Sequence, residues 1–142
     1  SLAYVKACPE TCGKAGFCEA TKAAGPWQVF PRDEEALKLY ADGRWKRPPS
    51  PVEWKPRPRL AAPLAMRRDA KTALVVAPPE DCFAIATPFS GEGHRSLYLS
   101  LLGRDLKAGQ TATARARLVI ARGISDAQAV ALYEAYGKES RK

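Results

Sequence analysis

A basic, proline-rich segment is the strongest constraint on how this chain can fold. Residues 44–68 hold six prolines and eight Lys or Arg residues, with Glu53 as their only acid. Proline lacks the backbone N–H donor and restricts the residue before it, so such a segment favours neither a helix nor a central strand. The sequence therefore predicts an extended, polyproline-like arm over residues 44–70.

Large apolar residues are unevenly distributed along the chain. Leu, Ile, Val and Phe account for 27 of 142 residues, and 17 of them lie in residues 71–142. Together with a net charge of +8, this total is close to the composition of disordered chains. We therefore expect one core, within residues 71–142, preceded by the arm and by a cysteine-containing segment over residues 1–43.

Four runs in the second half have the composition of strands joined by short connections. They are residues 72–77, 82–87, 96–102 and 111–120. The third run alternates leucine with Tyr98 and Ser100, which indicates a strand with one buried face. The first two runs predict a hairpin through residues 78–81. The predicted fold is mainly β, an antiparallel β-sandwich or meander with a C-terminal α-helix and an irregular, proline-rich N-terminal half.

Two helices are predicted from their end signals. Residues 33–41 begin with acids and precede Gly43, which indicates a short helix. Near the C-terminus, Ser125 and Gln128 have the spacing of a capping box at a helix start. Gly137 is expected to end this second helix.

Four cysteines are the candidates for covalent or metal chemistry. Cys8, Cys12 and Cys18 lie within eleven residues, and Cys82 lies in an apolar stretch. In an exported protein the even number favours two disulfides, one within the N-terminal group and one that reaches Cys82. We predict disulfides at these residues and no metal site. Zinc and free buried thiols stay open as alternatives, although the spacing matches none of the usual zinc patterns.

The second half resembles a known family. Residues 81–89, residues 96–111 with their Ala-Gly-Gln-Thr turn, and the final strand and capped helix are similar to the closing strands of exported bacterial galactose mutarotase-like β-sandwich proteins. The resemblance covers about residues 72–136. It implies a carbohydrate-associated, exported protein of which this chain is a terminal part. The family's catalysis uses histidines and a carboxylate, and because His94 lies outside any matching motif, no catalytic residue is carried over.

Candidate binding residues come from the aromatic and planar cationic side chains. Trp45 and Trp54 lie in the arm, and Arg115 and Arg117 lie in the predicted last strand. These side chains offer contact area and planar hydrogen bonding to a sugar or to an acidic protein. An enzyme that uses His94 is the weaker hypothesis, because a single histidine in a glycine-rich loop is mostly a surface residue.

These observations predict a non-catalytic binding or structural module without a cofactor. Its expected partner is a carbohydrate or a larger protein assembly. The alternative is a peripheral accessory subunit of a large assembly, a ribosome or an energy-converting membrane complex, that uses the proline-rich arm. Nucleic acid is the less favoured partner, because a charge of +8 is moderate for this length.

The expected location follows from the ends and the hydropathy of the chain. No run approaches the ~20 apolar residues of a membrane-spanning helix, so we predict no membrane span. The chain starts at Ser1 rather than at Met, which we interpret as a removed leader or a longer parent protein. Together with the resemblance, this predicts export to the periplasm or the exterior, with an organellar or complex-associated location as the alternative.

Overall fold

Two β-sheets form the centre of the protein. The structure is a computed structural model and describes residues 1–42, 52–89 and 95–140. Its strands are β1 (Leu2–Val5), β2 (Gly16–Glu19), β3 (Trp27–Pro31), β4 (Lys55–Pro56), β5 (Leu60–Arg68), β6 (Thr72–Val76), β7 (Cys82–Pro88), β8 (Tyr98–Leu101) and β9 (Arg117–Ala121). A five-stranded sheet has the order β2-β1-β5-β6-β9, and a four-stranded sheet has the order β4-β3-β7-β8. All neighbours are antiparallel except the pair β3 and β4.

Two helices cover the outer faces of the sheets. Helix α1 (Glu34–Ala41) packs on the four-stranded sheet, and α2 (Asp126–Glu139) packs on the five-stranded sheet. The predicted mainly β class with a C-terminal helix is thereby confirmed. Neither helix, within the described ranges, is long and apolar enough to cross a membrane.

The core between the sheets consists of small and medium apolar side chains. Its buried members are Ala3, Val5, Cys8, Cys18, Phe30, Leu60, Ala65, Ala77, Cys82 and Ile85. Leu97, Leu99 and Leu101 pack against this core, while the Ser100 hydroxyl bonds to α1 on the opposite face. The predicted alternation of residues 96–102 is thus confirmed.

Helix α2 confirms the predicted N-terminal cap and corrects the predicted end. Ser125 accepts a hydrogen bond from the Gln128 backbone, and Gln128 returns one to the Ser125 backbone. The helix does not stop at Gly137 but continues to Glu139, because Gly137 lacks the left-handed backbone of a stop signal. An ion pair between Glu139 and Arg117 of β9 holds this last turn.

The predicted arm is wrong for residues 60–68, which form β5, the middle strand of the five-stranded sheet. Pro63 tolerates this position because the register of β5 against β1 shifts between Ala3 and Val5, and Pro63 falls within that shift. It also precedes the first registered pair with β6. The ladders therefore do not need the N–H group that proline lacks.

The N-terminal half is more regular than predicted. Five strands, β1 to β5, lie within it, and β1 and β3 each pair with a strand on either side. The expected boundary at residue 70 falls in the tight connection between β5 and β6, where Asp69 N–H donates to Lys71. Both sheets therefore combine strands from both halves, and residues 44–51 of the arm lie outside the described residues.

Two details of the predicted meander are wrong. Strands β6 and β7 do not form a hairpin, because they belong to different sheets. Strand β9 begins only at Arg117, so residues 111–116 are not a strand. Strand β6 ends at Val76, the partner of Arg117, and Pro78 and Pro79 follow it, so a longer β9 has no ladder partner there.

The inner face of β9 extends beyond the inter-sheet core. Leu118 is registered with Val75, whose side chain packs against that core. Leu118 and Ile120 nevertheless stay 60% and 61% exposed. The four-stranded sheet therefore leaves the inner face of β9 largely uncovered.

Replacement of Ser125 by Ala is expected to lower the free energy of unfolding by about 1 kcal/mol, because it removes the N-cap acceptor of α2. Chemical denaturation measures the change, and Thr113→Ala, at an exposed site, serves as the control within about 0.5 kcal/mol. Equal stability of the Ser125 and Thr113 variants would contradict the cap.

Candidate functional site

An aromatic groove lies on the outer face of the four-stranded sheet, beside α1. Its volume is about 710 Å³, within the range of small-molecule sites. Five aromatic residues line it: Trp27, Tyr40, Trp54, Phe83 and Tyr98. Leucines from α1, from β8 and from the segment after β8 supply most of the remaining lining, with Ser100 and Arg104 as its polar members.

Trp54 joins the aromatic side chains into one wall. Its ring centre lies 5.6 Å from that of Trp27 and 5.8 Å from that of Tyr40, both at steep interplanar angles of 77° and 75°. Tyr40 in turn lies 5.8 Å from Phe83. Edge-to-face contacts of this kind are favourable beyond simple burial, so the wall is held in one arrangement.

A hydrogen bond ties α1 to the edge strand of the groove. The hydroxyl groups of Tyr40 and Ser100 are 2.5 Å apart, so one donates to the other. Burial raises the pKa of Tyr40 to about 12, against the partial opposing effect of the Ser100 hydrogen bond. Tyr40 is therefore a neutral phenol in the folded protein at physiological pH.

A tight turn after β8 forms one side of the groove. Leu102 and Gly103 both have positive φ angles, 71° and 37°, and the turn is fixed by Leu102 N–H donating to Asp81. A Cβ atom on Gly103 would lie 2.5 Å from the ring of Phe83. A positive φ is unfavourable for leucine, so the fold holds a strained residue at the groove.

The structure places one of the four predicted binding residues in this groove. Trp54 is there, and Trp45 lies outside the described residues. Trp27, which the sequence places far from Trp54, is its partner in the groove. Arg115 and Arg117 lie elsewhere, between β9 and the end of α2.

The two arginines make contacts within the chain. Arg115 reaches Asp81, Glu80 and the carbonyl of Ser140. Arg117 pairs with Glu139, and its guanidinium lies 4.7 Å from the centre of the Tyr136 ring. These contacts connect the end of α2 to the sheet. They do not test the binding role predicted for both arginines, which stays a prediction.

A second cluster of reactive groups lies at the N-terminal hairpin. Cys8 and Cys18 are fully buried, and their sulfur atoms and a carboxylate oxygen of Glu10 all lie within 4.8 Å of one another. The Cys8 thiol donates to Glu10 at 2.6 Å, which lowers the pKa of Glu10. Burial raises the pKa of Cys8 and raises that of Cys18 to about 12.

The other two cysteines lie apart from this cluster. Cys12 is exposed, whereas Cys82 is buried and its thiol donates to the carbonyl of Ala84. Burial raises the pKa of Cys82 to about 11. All four cysteines are free thiols in the structure. The predicted disulfides stay predictions.

Replacement of Gly103 by Ala is expected to destabilise the fold by at least about 1 kcal/mol more than Gly109→Ala, because overpacking adds to the backbone strain. Both glycines have positive φ, but a Cβ on Gly109 would meet nothing within 4 Å. Denaturant midpoints of the two variants give the comparison. Equal losses would show that Phe83 does not press against Gly103.

The free energy of unfolding is expected to fall as the pH rises from about 10 to about 12, because the pKa of Tyr40 is higher in the folded chain. In that interval the unfolded chain loses the phenolic proton, while the folded chain keeps it until its raised pKa is reached. The contribution lost is about 2–3 kcal/mol for a shift of this size. Tyr40→Phe is the matched control, and parallel pH profiles of the two proteins would refute the buried phenol.

No family model, curated protein or solved structure matches this chain. The resemblance of residues 72–136 to galactose mutarotase-like proteins therefore stays a prediction. What the groove binds has to follow from its own shape and chemistry.

Proposed function

We propose that this protein is a non-catalytic module that binds a carbohydrate in its aromatic groove. The observation that carries the proposal is the convergence of two Trp, two Tyr and one Phe on a single cavity of about 710 Å³. Flat aromatic faces match the C–H faces of sugar rings, and large rings lose little conformational freedom on binding. The binding role predicted for Trp54 is part of this proposal.

The polar groups of the groove suit hydroxyl-rich ligands. Ser100 and Arg104 supply a hydroxyl group and a planar set of N–H donors beside the aromatic wall. Tyr40 adds a phenol next to Ser100. A few fixed polar groups within an apolar lining are the common arrangement for orienting a small ligand.

The composition of the lining favours binding over hydrolysis. Glycoside hydrolysis generally uses two carboxyl groups on either side of the bond that breaks. The described lining of the groove contains no Asp, Glu, His or Cys. The phenol of Tyr40, with a pKa of about 12, is a poor acid or base near neutral pH.

Contacts within the chain hold the side chains of the groove in place. Trp54 is held between Trp27 and Tyr40, and the strained turn at Leu102 is fixed by a backbone hydrogen bond. Preorganised side chains reduce the entropy that a ligand must overcome on binding. The same rigidity supports recognition by shape.

The test is a titration of the protein with a panel of neutral hexose oligosaccharides, in which binding is measured by tryptophan fluorescence and by calorimetry. Trp54→Ala is expected to weaken binding at least tenfold, about 1.4 kcal/mol, and Trp54→Phe to weaken it less. Thr113→Ala, at an exposed position outside the groove lining, is the control and is expected to change the affinity less than twofold.

Two results would overturn the proposal. One is the absence of binding by every oligosaccharide at millimolar concentration. The other is an unchanged affinity of Trp54→Ala, with the variant folded by circular dichroism, because that would place the ligand outside the groove.

A further inference from the structure

We propose that Cys8, Glu10 and Cys18 form a binding site for Zn²⁺. Their ligand atoms, two sulfurs and a carboxylate oxygen, all lie within 4.8 Å of one another. Thiolate and carboxylate are both established zinc ligands. The site is separate from the aromatic groove, so the proposal does not rest on the proposed carbohydrate function.

The N-terminal hairpin brings the three residues together. Cys18 lies on β2, paired with Ala3 of β1, and Cys8 follows β1 after two residues. A short 3-10 turn, Pro9–Thr11, contains Glu10 and places its carboxylate beside the two sulfur atoms. The sequence alone does not show this arrangement, because nine residues separate the two cysteines and the spacing matches no usual zinc pattern.

Backbone hydrogen bonds hold the loop that carries Cys8 and Glu10. The Cys8 carbonyl accepts from Thr11 N–H at 3.1 Å and from Gly13 N–H at 3.0 Å. The Cys8 N–H donates to the Lys14 carbonyl at 2.9 Å. The positions of the ligands are therefore set by the fold rather than by a flexible chain.

The distances match those that a zinc ion requires. With Zn–S bonds of about 2.3 Å, two sulfurs in a tetrahedral site lie about 3.8 Å apart. Atoms that already lie within 4.8 Å reach that geometry by shifts of about 1 Å or less. The exposed side of Glu10 leaves a fourth position for water.

The charges near the cluster balance with a divalent cation. Two thiolates and the carboxylate carry three negative charges, and Arg57 supplies one positive charge at 3.4 Å from the Cys18 sulfur. A Zn²⁺ ion brings this sum to zero. Buried charges are tolerated when they are compensated in this way or coordinate a metal.

Arg57 is itself anchored in position. It donates to the Glu19 carbonyl, and its guanidinium lies 5.7 Å from the centre of the Phe30 ring. Its Nε atom is buried without a hydrogen-bond partner among the described residues. This fixed cation compensates part of the negative charge that the ligands carry once a metal ion replaces their thiol protons.

The experiment uses the reduced full chain with Zn²⁺ as the probe, and Co²⁺ as a spectroscopic substitute. We expect one zinc ion per chain by mass spectrometry under native conditions, and a thiolate-to-cobalt charge-transfer band. Cys8→Ser and Cys18→Ser are expected to lose both signals. Glu10→Gln, at an exposed position, is expected to weaken zinc binding at least tenfold without changing the fold.

Cys12→Ser is the matched control, because Cys12 lies in the same loop but outside the cluster. It is expected to bind zinc as the parent chain does. A loss equal to that of Cys8→Ser would overturn the proposed ligand set.

Two further outcomes would overturn the site itself. One is failure of the folded, reduced chain to bind zinc at micromolar concentration. The other is a protein isolated from its source without zinc and with Cys8 joined to Cys18, two mass units lighter, since that result would assign the pair to a structural disulfide.

Discussion

The position of β5 between β1 and β6 is the constraint on which the rest of the structure depends. Leu60 and Ala65 of this strand face the core between the sheets, while Leu64 and Met66 face the core under α2. One strand therefore contributes to both of these cores, and it does so with few large side chains. Its central place is possible only because Pro63 falls where the register with β1 shifts.

Local signals in the sequence identify elements, and non-local pairing decides where those elements lie. The cap at Ser125 and the leucine alternation around Tyr98 are local, so the sequence predicts them correctly. The central place of β5 depends on partners from both sides of the chain, which no short window contains. Proline content dominates that window and favours the wrong interpretation, an extended arm. For the same reason, the sequence does not predict the aromatic groove. The residues around Trp54 come from β3, α1, β7 and β8, and they meet only when α1 packs on the four-stranded sheet.

Several of the arginines form ion pairs with acidic residues of the two helices. Arg68 pairs with Asp126 at the start of α2, Arg117 pairs with Glu139 at its end, and Arg59 pairs with Glu34 of α1. Exposed ion pairs contribute little to stability, so their effect is mainly to orient the helices on the sheets. Part of the positive charge in the described residues is therefore paired with acids of the same chain.

The interleaving of the two halves also determines when this protein can begin to fold. Trp27 of β3 is registered with Pro88 of β7, and Leu2 of β1 with Met66 of β5. During synthesis, β1 therefore leaves the ribosome well before β5, and β3 well before β7. Contacts of such wide sequence separation slow folding, and unpaired strand edges are prone to aggregate while they wait. The hairpin of β1 with β2 limits that hazard, since it covers one edge of β1 before β5 arrives.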